Sequence, residues 1–178
     1  MLHETAHPLA YFITFTCYGT WLHGEKLTTV DRFMNTPGTD FLSFDSERLY
    51  WVKKQMPETP YLLDEPRRKI VLKAIEEVCV CRKWVLLAAH VRSNHVHLVI
   101  HALTQPEQIL STIKAYASRH LNNATLDKCR ASRWTHHGST RYLWKEEEVE
   151  ATIRYVVYEQ GLPMAVFENK DRAFYVLF

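Results

Sequence analysis

"WVLLAAHVRSNHVHLVIHA", residues 84–102, consists of two apolar extended runs that meet at Ser93-Asn94. Ser and Asn are turn formers, and the Val, Leu, Ile and Ala runs on either side have strand length, so the stretch predicts a β-hairpin with strands over 84–93 and 95–102. The second strand opens on His95-Val96-His97. Side chains alternate along a strand, so His95 and His97 project from one face with Cα atoms about 7 Å apart, while Val96 points to the other. Neutral imidazoles are good ligands for divalent metals. Two ligands do not make a site, however, and on spacing alone an ordinary half-exposed strand is the better account. A partner from another element has to decide it.

Towards the N-terminus, "AYFITFTCYGTW" (10–21) is rich in β-branched and aromatic residues and runs into Gly19, which predicts a central strand. The stretch from about His23 to Leu62 mixes Gly, Pro, Asn, Asp and Thr, with a short helix candidate over 46–54. Insertions of this length inside a domain carry function or wrap the surface. Asp64 can cap a helix with Pro66 in its first turn, and Ile70, Val71, Ala74, Ile75 and Val78 repeat at helical spacing through Cys81.

Towards the C-terminus a second helix runs from Gln105-Pro106 to Asn122, with Ile109, Ile113, Tyr116 and Ala117 on one stripe. "TRYLW" (140–144) reads as a short strand. "KEEEVEATIRYVVYEQG" (145–161) opens with three glutamates and stops at Gly161 before Pro163, which predicts a third long helix. The final "RAFYVLF" (172–178) reads as a last strand or a docked tail. The order of elements predicts an α+β fold, an antiparallel sheet with helices on one face in a ferredoxin-like split βαβ plan. One domain over 1–178 is expected, with the long insertion at about 23–62.

Of the 178 residues 47% are apolar and 24% charged, the balance of a folded chain, and a net charge of +2 does not by itself announce nucleic acid. Arg67, Arg68, Lys69 and Lys73 cluster in sequence, as do Lys128, Arg130 and Arg133, which read equally as solvated faces or as a basic surface. Cys17, Cys79, Cys81 and Cys129 have neither zinc-finger spacing nor disulfide-scaffold density. No window reaches the roughly 18 apolar residues of a membrane span, and the N-terminus lacks a signal pattern. A cytoplasmic protein with reduced thiols and no membrane partner is expected.

The partner that the histidines need lies in the late helix. At about 100° per residue, Val149, Ile153, Val156 and Val157 form one apolar stripe, while Tyr155 and Glu159, four apart, are neighbours off it. A phenol with pKa near 10 is a weak nucleophile at neutral pH, so it needs an electrophile polarised by a metal; a phosphodiester is the natural candidate. Gln160 is a second candidate ligand after Glu159, since an ideal helix turns it towards the apolar stripe and only unwinding before Gly161 brings it back. Tyr116 with His120 is a rival pair, although Tyr116 falls on the stripe of Ile109 and Ile113.

In combination these segments resemble a known family. "SNHVHLVI" is similar to the His-hydrophobic-His (HUH) motif of single-strand DNA nucleases. "YFITFTCYGTWL", "WTHHGSTRYLW" and "IRYVVYEQGLP" resemble the flanking signatures of insertion sequence 200-like transposases, in the branch of REP-associated tyrosine transposases. The likeness runs from about Tyr11 to Pro163. It implies a single-tyrosine DNA transposase that binds single-stranded DNA or DNA hairpins, cleaves one strand, and holds the 5′ phosphate as a phosphotyrosine while freeing a 3′ hydroxyl. Carried over residue by residue, it makes Tyr155 the nucleophile and His95 and His97 ligands of a divalent metal, Mg or Mn, with Glu159 or Gln160 as the third. Some relatives build each site from two chains, so a homodimer is compatible with it. Two alternatives remain: a domesticated, catalytically silent repeat-DNA binding protein, or a metal-dependent nucleotide phosphoesterase. The second lacks support from a duplicated His-x-Thr/Ser motif.

Overall fold

In the computed structural model the described residues are 7–20, 46–127 and 130–171. Most of the long insertion and the terminal "RAFYVLF" lie outside them. The described elements run β1 (Ala10–Thr16), α1 (Ser46–Gln55), α2 (Glu65–Arg82), β2 (Val85–Val91), β3 (His95–His101), α3 (Pro106–Asn123), β4 (Ser139–Leu143), α4 (Glu146–Tyr158) and β5 (Ala165–Glu168). The five strands form one sheet in the order β4-β1-β3-β2-β5. Every pairing is antiparallel. The first four strands with α2 and α3 follow the split βαβ plan, and β5 adds an edge.

Local signals place the helices as expected. Asp64 accepts a hydrogen bond from the Arg67 N–H at 3.0 Å and caps α2, whose last turn closes at Lys83 in the left-handed region (φ 57°). Val71, Ala74, Ile75 and Val78 of α2 and Ile109, Ile113, Ala117 and Leu121 of α3 bury their stripes against Ile13, Phe15, Val96, Leu98 and Ile100 of the sheet. The expectation of an α+β antiparallel sheet holds, but not all helices share a face. Val149, Ile153, Val156 and Val157 of α4 pack on the opposite side, against Ala10, Leu87, Ala88 and Val99. The reason is visible in β3: Leu98, Val99 and Ile100 are consecutive and wholly buried, which a strand covered on one side only does not allow.

β2 carries an irregularity that matters for the site. The register against β3 shifts between Leu86 and Ala88, so Leu87 is an extra residue. Leu86 faces α2 and α3, Leu87 and Ala88 both face α4, and Ala89 returns to the first side. A bulge of this kind re-aims every side chain after it. His90 is thereby turned onto the α4 face, opposite His97 in the register.

The segment leading into β4 is held by a buried ion cluster. Asp127 accepts bonds from Tyr61 Oη, from Arg67 Nε at 2.9 Å and from Arg133 Nε at 3.0 Å. Burial would raise its carboxyl pKa, yet these three donors outweigh it and hold the group below the usual carboxylate range. Asp127→Asn leaves Arg133 as a buried uncompensated cation. We expect a loss of about 3–5 kcal/mol in urea unfolding; a loss under about 1 kcal/mol would show that the cluster is dispensable. Beyond it, Thr135 N–H donates to Thr16 O at 3.0 Å and Lys114 Nζ donates to Thr135 O at 2.7 Å. Gly138 sits so close to β1 that a Cβ there would fall 2.6 Å from Thr14 O. The "WTHHGST" stretch is thus fastened beside the end of β1 that pairs with His95.

Candidate active site

His95 and His97 lie on the α4 face of β3, with ring centroids 4.7 Å apart. Each is oriented through its Nδ1. His95 Nδ1 donates to Asn94 Oδ1 at 2.8 Å, and His97 Nδ1 meets Thr14 Oγ1 at 2.7 Å. With Nδ1 holding the proton, the lone pair of a neutral ring sits on Nε2, which is how second-sphere partners fix metal-binding histidines. Phe12 stacks on His97 at 5.6 Å and buttresses it from β1.

α4 brings its tyrosine to the same place. The Tyr155 ring stands edge-on to His97 at 5.9 Å and to Phe12 at 6.0 Å, and it is 40% exposed. The end of α4 is tied to the sheet by His90. Its Nδ1 donates to Val156 O at 2.8 Å, and its Nε2 accepts the Met164 N–H at 3.2 Å, so the wholly buried ring is satisfied at both nitrogens. Sequence reading missed this residue because a bulge, invisible in composition, decides which way it points.

The helix ends at Tyr158, and the ideal projection fails there. Glu159 is the exposed residue after the last turn, with its N–H on Tyr155 O at 3.2 Å. Gln160 folds back: its Nε2 donates to Tyr155 O at 3.2 Å, and its side chain hydrogen-bonds the His97 ring in a way that favours the charged imidazole. The side-chain amide of Gln160 therefore lies beside the His97 ring. Among the described residues no three His, Cys, Asp or Glu side chains come together as a metal-holding group. The structure brings Gln160 beside His97, whereas Glu159 does not join the two histidines as a group of three.

Electrostatics keep both rings neutral. Burial first, then the Arg92 and His90 charges, push the His95 pKa down to about 4; burial, then His95 and His90, push His97 down to about 4 against the Gln160 bond. Neutral imidazoles at pH 7 are the ligating form. Two such nitrogens with a side-chain amide beside one of them are a donor set that would suit a divalent ion. The same shifts set a pH dependence in metal-free protein. Unfolded imidazoles take up protons near pH 6.5 and the folded ones only near 4, so stability is full above 6.5 and declines as pH falls towards 4. For His97, 6% exposed, we expect about 2 kcal/mol less unfolding free energy at pH 5 than at pH 7. Urea titrations at the two pH values check it: His97→Gln should remove about that share of the total difference and leave the share that His95 contributes.

Other sequence candidates fall elsewhere. Tyr116 packs on the α2–α3 core beneath the opposite face of the sheet, and His120 meets Glu77 at 3.2 Å. His101 Nδ1 bonds Leu9 O at 2.7 Å, away from the pair. Most of the described basic residues are compensated: Arg67 by Asp64 and Asp127, Lys69 by Glu65, Lys73 by Glu77, Arg130 by Glu58, Arg133 by Asp127; Arg68 donates to Leu63 O at 2.8 Å, and Lys128 lies outside the described residues. Trp134 packs edge-on to Phe15 with its Nε1 on Ser118 Oγ, whereas Tyr142 is exposed and stacks on Trp144 at 6.2 Å. No described helix is long and apolar enough to cross a membrane.

Comparison with known proteins gives the family. No curated protein sequence matches the chain. A solved structure of the REP-associated tyrosine transposase bound to a REP hairpin aligns with a TM-score of 0.46 at 12% identity, covering 86% of this chain and 67% of that one. The model of the family described as "Transposase IS200 like" matches residues 50–158, from within α1 to the last residue of α4, and so takes in His95, His97 and Tyr155. The chain belongs to the IS200-like transposase family.

Proposed function

We propose that the chain, acting as one domain, is a single-tyrosine transposase that cleaves single-stranded DNA at hairpin or repeat sequences through a 5′-phosphotyrosine intermediate. The observation that carries this reading is the meeting of Tyr155, from α4, with His97 and its partner His95, from β3, on one face of the sheet. The phenolic oxygen of Tyr155 attacks the scissile phosphorus. A P–Oη bond forms, the bond from phosphorus to the 3′ oxygen breaks, the phenol gives up its proton to solvent, and the departing 3′ oxygen takes one up. One phosphodiester is exchanged for another, so the reverse step on a second 3′ hydroxyl needs no external energy.

His95, His97 and Gln160 would hold the divalent metal, Mg or Mn. When bound, the metal would polarise the phosphate and stabilise charge on its oxygens. The chain's own groups do the rest. Asn94 and Thr14 orient the rings. Phe12 and His97 confine the Tyr155 ring on two sides, which limits the approach of its oxygen. Incubating the protein with Mn²⁺ and single-stranded oligonucleotides from its own flanking DNA should give a protein–DNA adduct that survives denaturation. Tight binding with no adduct would support the repeat-binding alternative instead.

A further inference from the structure

Tyr155 also forms one wall of an open cleft of about 410 Å³, whose other lining residues are Phe12, Arg141, Ala151 and Thr152. That volume lies within the range of about 300–1,000 Å³ typical of small-ligand pockets. Arg141 stands on β4 directly across from Phe12 in the register, so a rigid strand presents its guanidinium at the cleft. Its Nη2 donates to Thr152 Oγ1 at 3.3 Å. The Thr152 hydroxyl spends its own proton on Glu148 O at 2.6 Å, which turns an oxygen lone pair towards the arginine and holds it in place. A guanidinium has five N–H donors in a planar fork suited to phosphate. The bond to Thr152 uses one of them.

We propose that this cleft is a subsite for the DNA strand, in which Arg141 binds a backbone phosphate next to the one that Tyr155 attacks and the Phe12 and Tyr155 rings flank the adjoining sugar or base. Of the arginines in the basic clusters, by contrast, Arg67, Arg130 and Arg133 are engaged with carboxylates and Arg68 donates to Leu63 O. Glu148, whose carboxylate Arg141 helps to stabilise, is already bonded to the Trp144 and Lys145 N–H groups. Aromatic walls beside a cation are the usual composition of a single-strand groove.

The location of the subsite rests on the Tyr155 reading, and its test does not require cleavage. Fluorescence anisotropy of a labelled mixed-sequence single strand, in EDTA and over a range of salt, gives both affinity and the number of phosphates contacted. Arg141→Met and Arg141→Gln should each weaken binding about tenfold at low salt and reduce the slope of log K against log salt by about 0.7. Ala151→Trp, which fills the cleft and leaves Arg141 in place, should reproduce both effects. Arg82→Met, which removes a charge at the end of α2, should do neither. A lost fold would not lower the slope by a single contact, and circular dichroism identifies any variant that has unfolded. Slopes unchanged in both Arg141 variants overturn the proposal, as does a wild type that does not bind single strands. A wild type that binds the strand yet forms no adduct defeats the nucleophile and leaves the Arg141 subsite standing.

Discussion

Tyr155→Phe should abolish the denaturation-resistant adduct and lower strand cleavage by on the order of 10⁴-fold or more, as loss of a nucleophile does elsewhere. The substitution removes one oxygen and keeps the ring. Because the Phe12 and His97 contacts of that ring are edge contacts of its carbon frame, the fold should be unaffected, with a change in unfolding free energy within about 0.5 kcal/mol. The same assay discriminates among the nearby tyrosines. Tyr116 lies on the far side of the sheet, and Tyr158 is 64% exposed with its hydroxyl donating to Glu168 Oε2 at 2.6 Å. Tyr116→Phe and Tyr158→Phe should therefore keep full adduct formation. An adduct that persists in Tyr155→Phe and vanishes in either of the others would remove the central residue of the proposed mechanism.

The parts of the site that sequence makes legible are those governed by periodicity. Period two in 95–97 puts both histidines on one face, and period 3.6 over 149–157 separates the apolar stripe of α4 from Tyr155, as the structure has it. What escapes periodicity is whatever interrupts it. Leu87 is an extra residue in a run of apolar side chains, and nothing in "VLLAAHV" distinguishes a bulged strand from a regular one, so His90 could not be assigned a face. Gln160 lies two residues past the end of α4, where the angle per residue no longer applies and a side-chain bond to Tyr155 O sets its direction. The four-residue β5 is too short for any pattern to declare it. The placement of α4 across the sheet from α2 and α3 was legible in principle, since Leu98-Val99-Ile100 breaks the alternation of a one-sided strand. The basic clusters misled in the other direction: charge along the chain says nothing of the carboxylates that fold against it, and Asp127 is 60 residues from Arg67.

That same unwinding at the end of α4 makes the third ligand the point on which the proposed metal site is most exposed to test. His97→Ala should reduce cleavage by at least about 100-fold, because removing even a second-sphere partner of a metal ligand typically costs 10–100-fold, and here the ligand itself is lost. Gln160→Ala should cost about 10–100-fold by the same reasoning. It should also weaken Mn²⁺ binding measured by calorimetry, since its side-chain amide lies beside His97 and its oxygen is the group that can ligate a metal. Glu159→Ala should change neither by more than about threefold, because its side chain is exposed and no group of three His, Cys, Asp or Glu forms here among the described residues. The backbone hydrogen bond that Glu159 makes to Tyr155 O survives the substitution. Should Glu159→Ala lose Mn²⁺ and activity while Gln160→Ala retains both, the helix end must rearrange on metal binding so that the carboxylate, one turn after Tyr155, replaces the amide at His97.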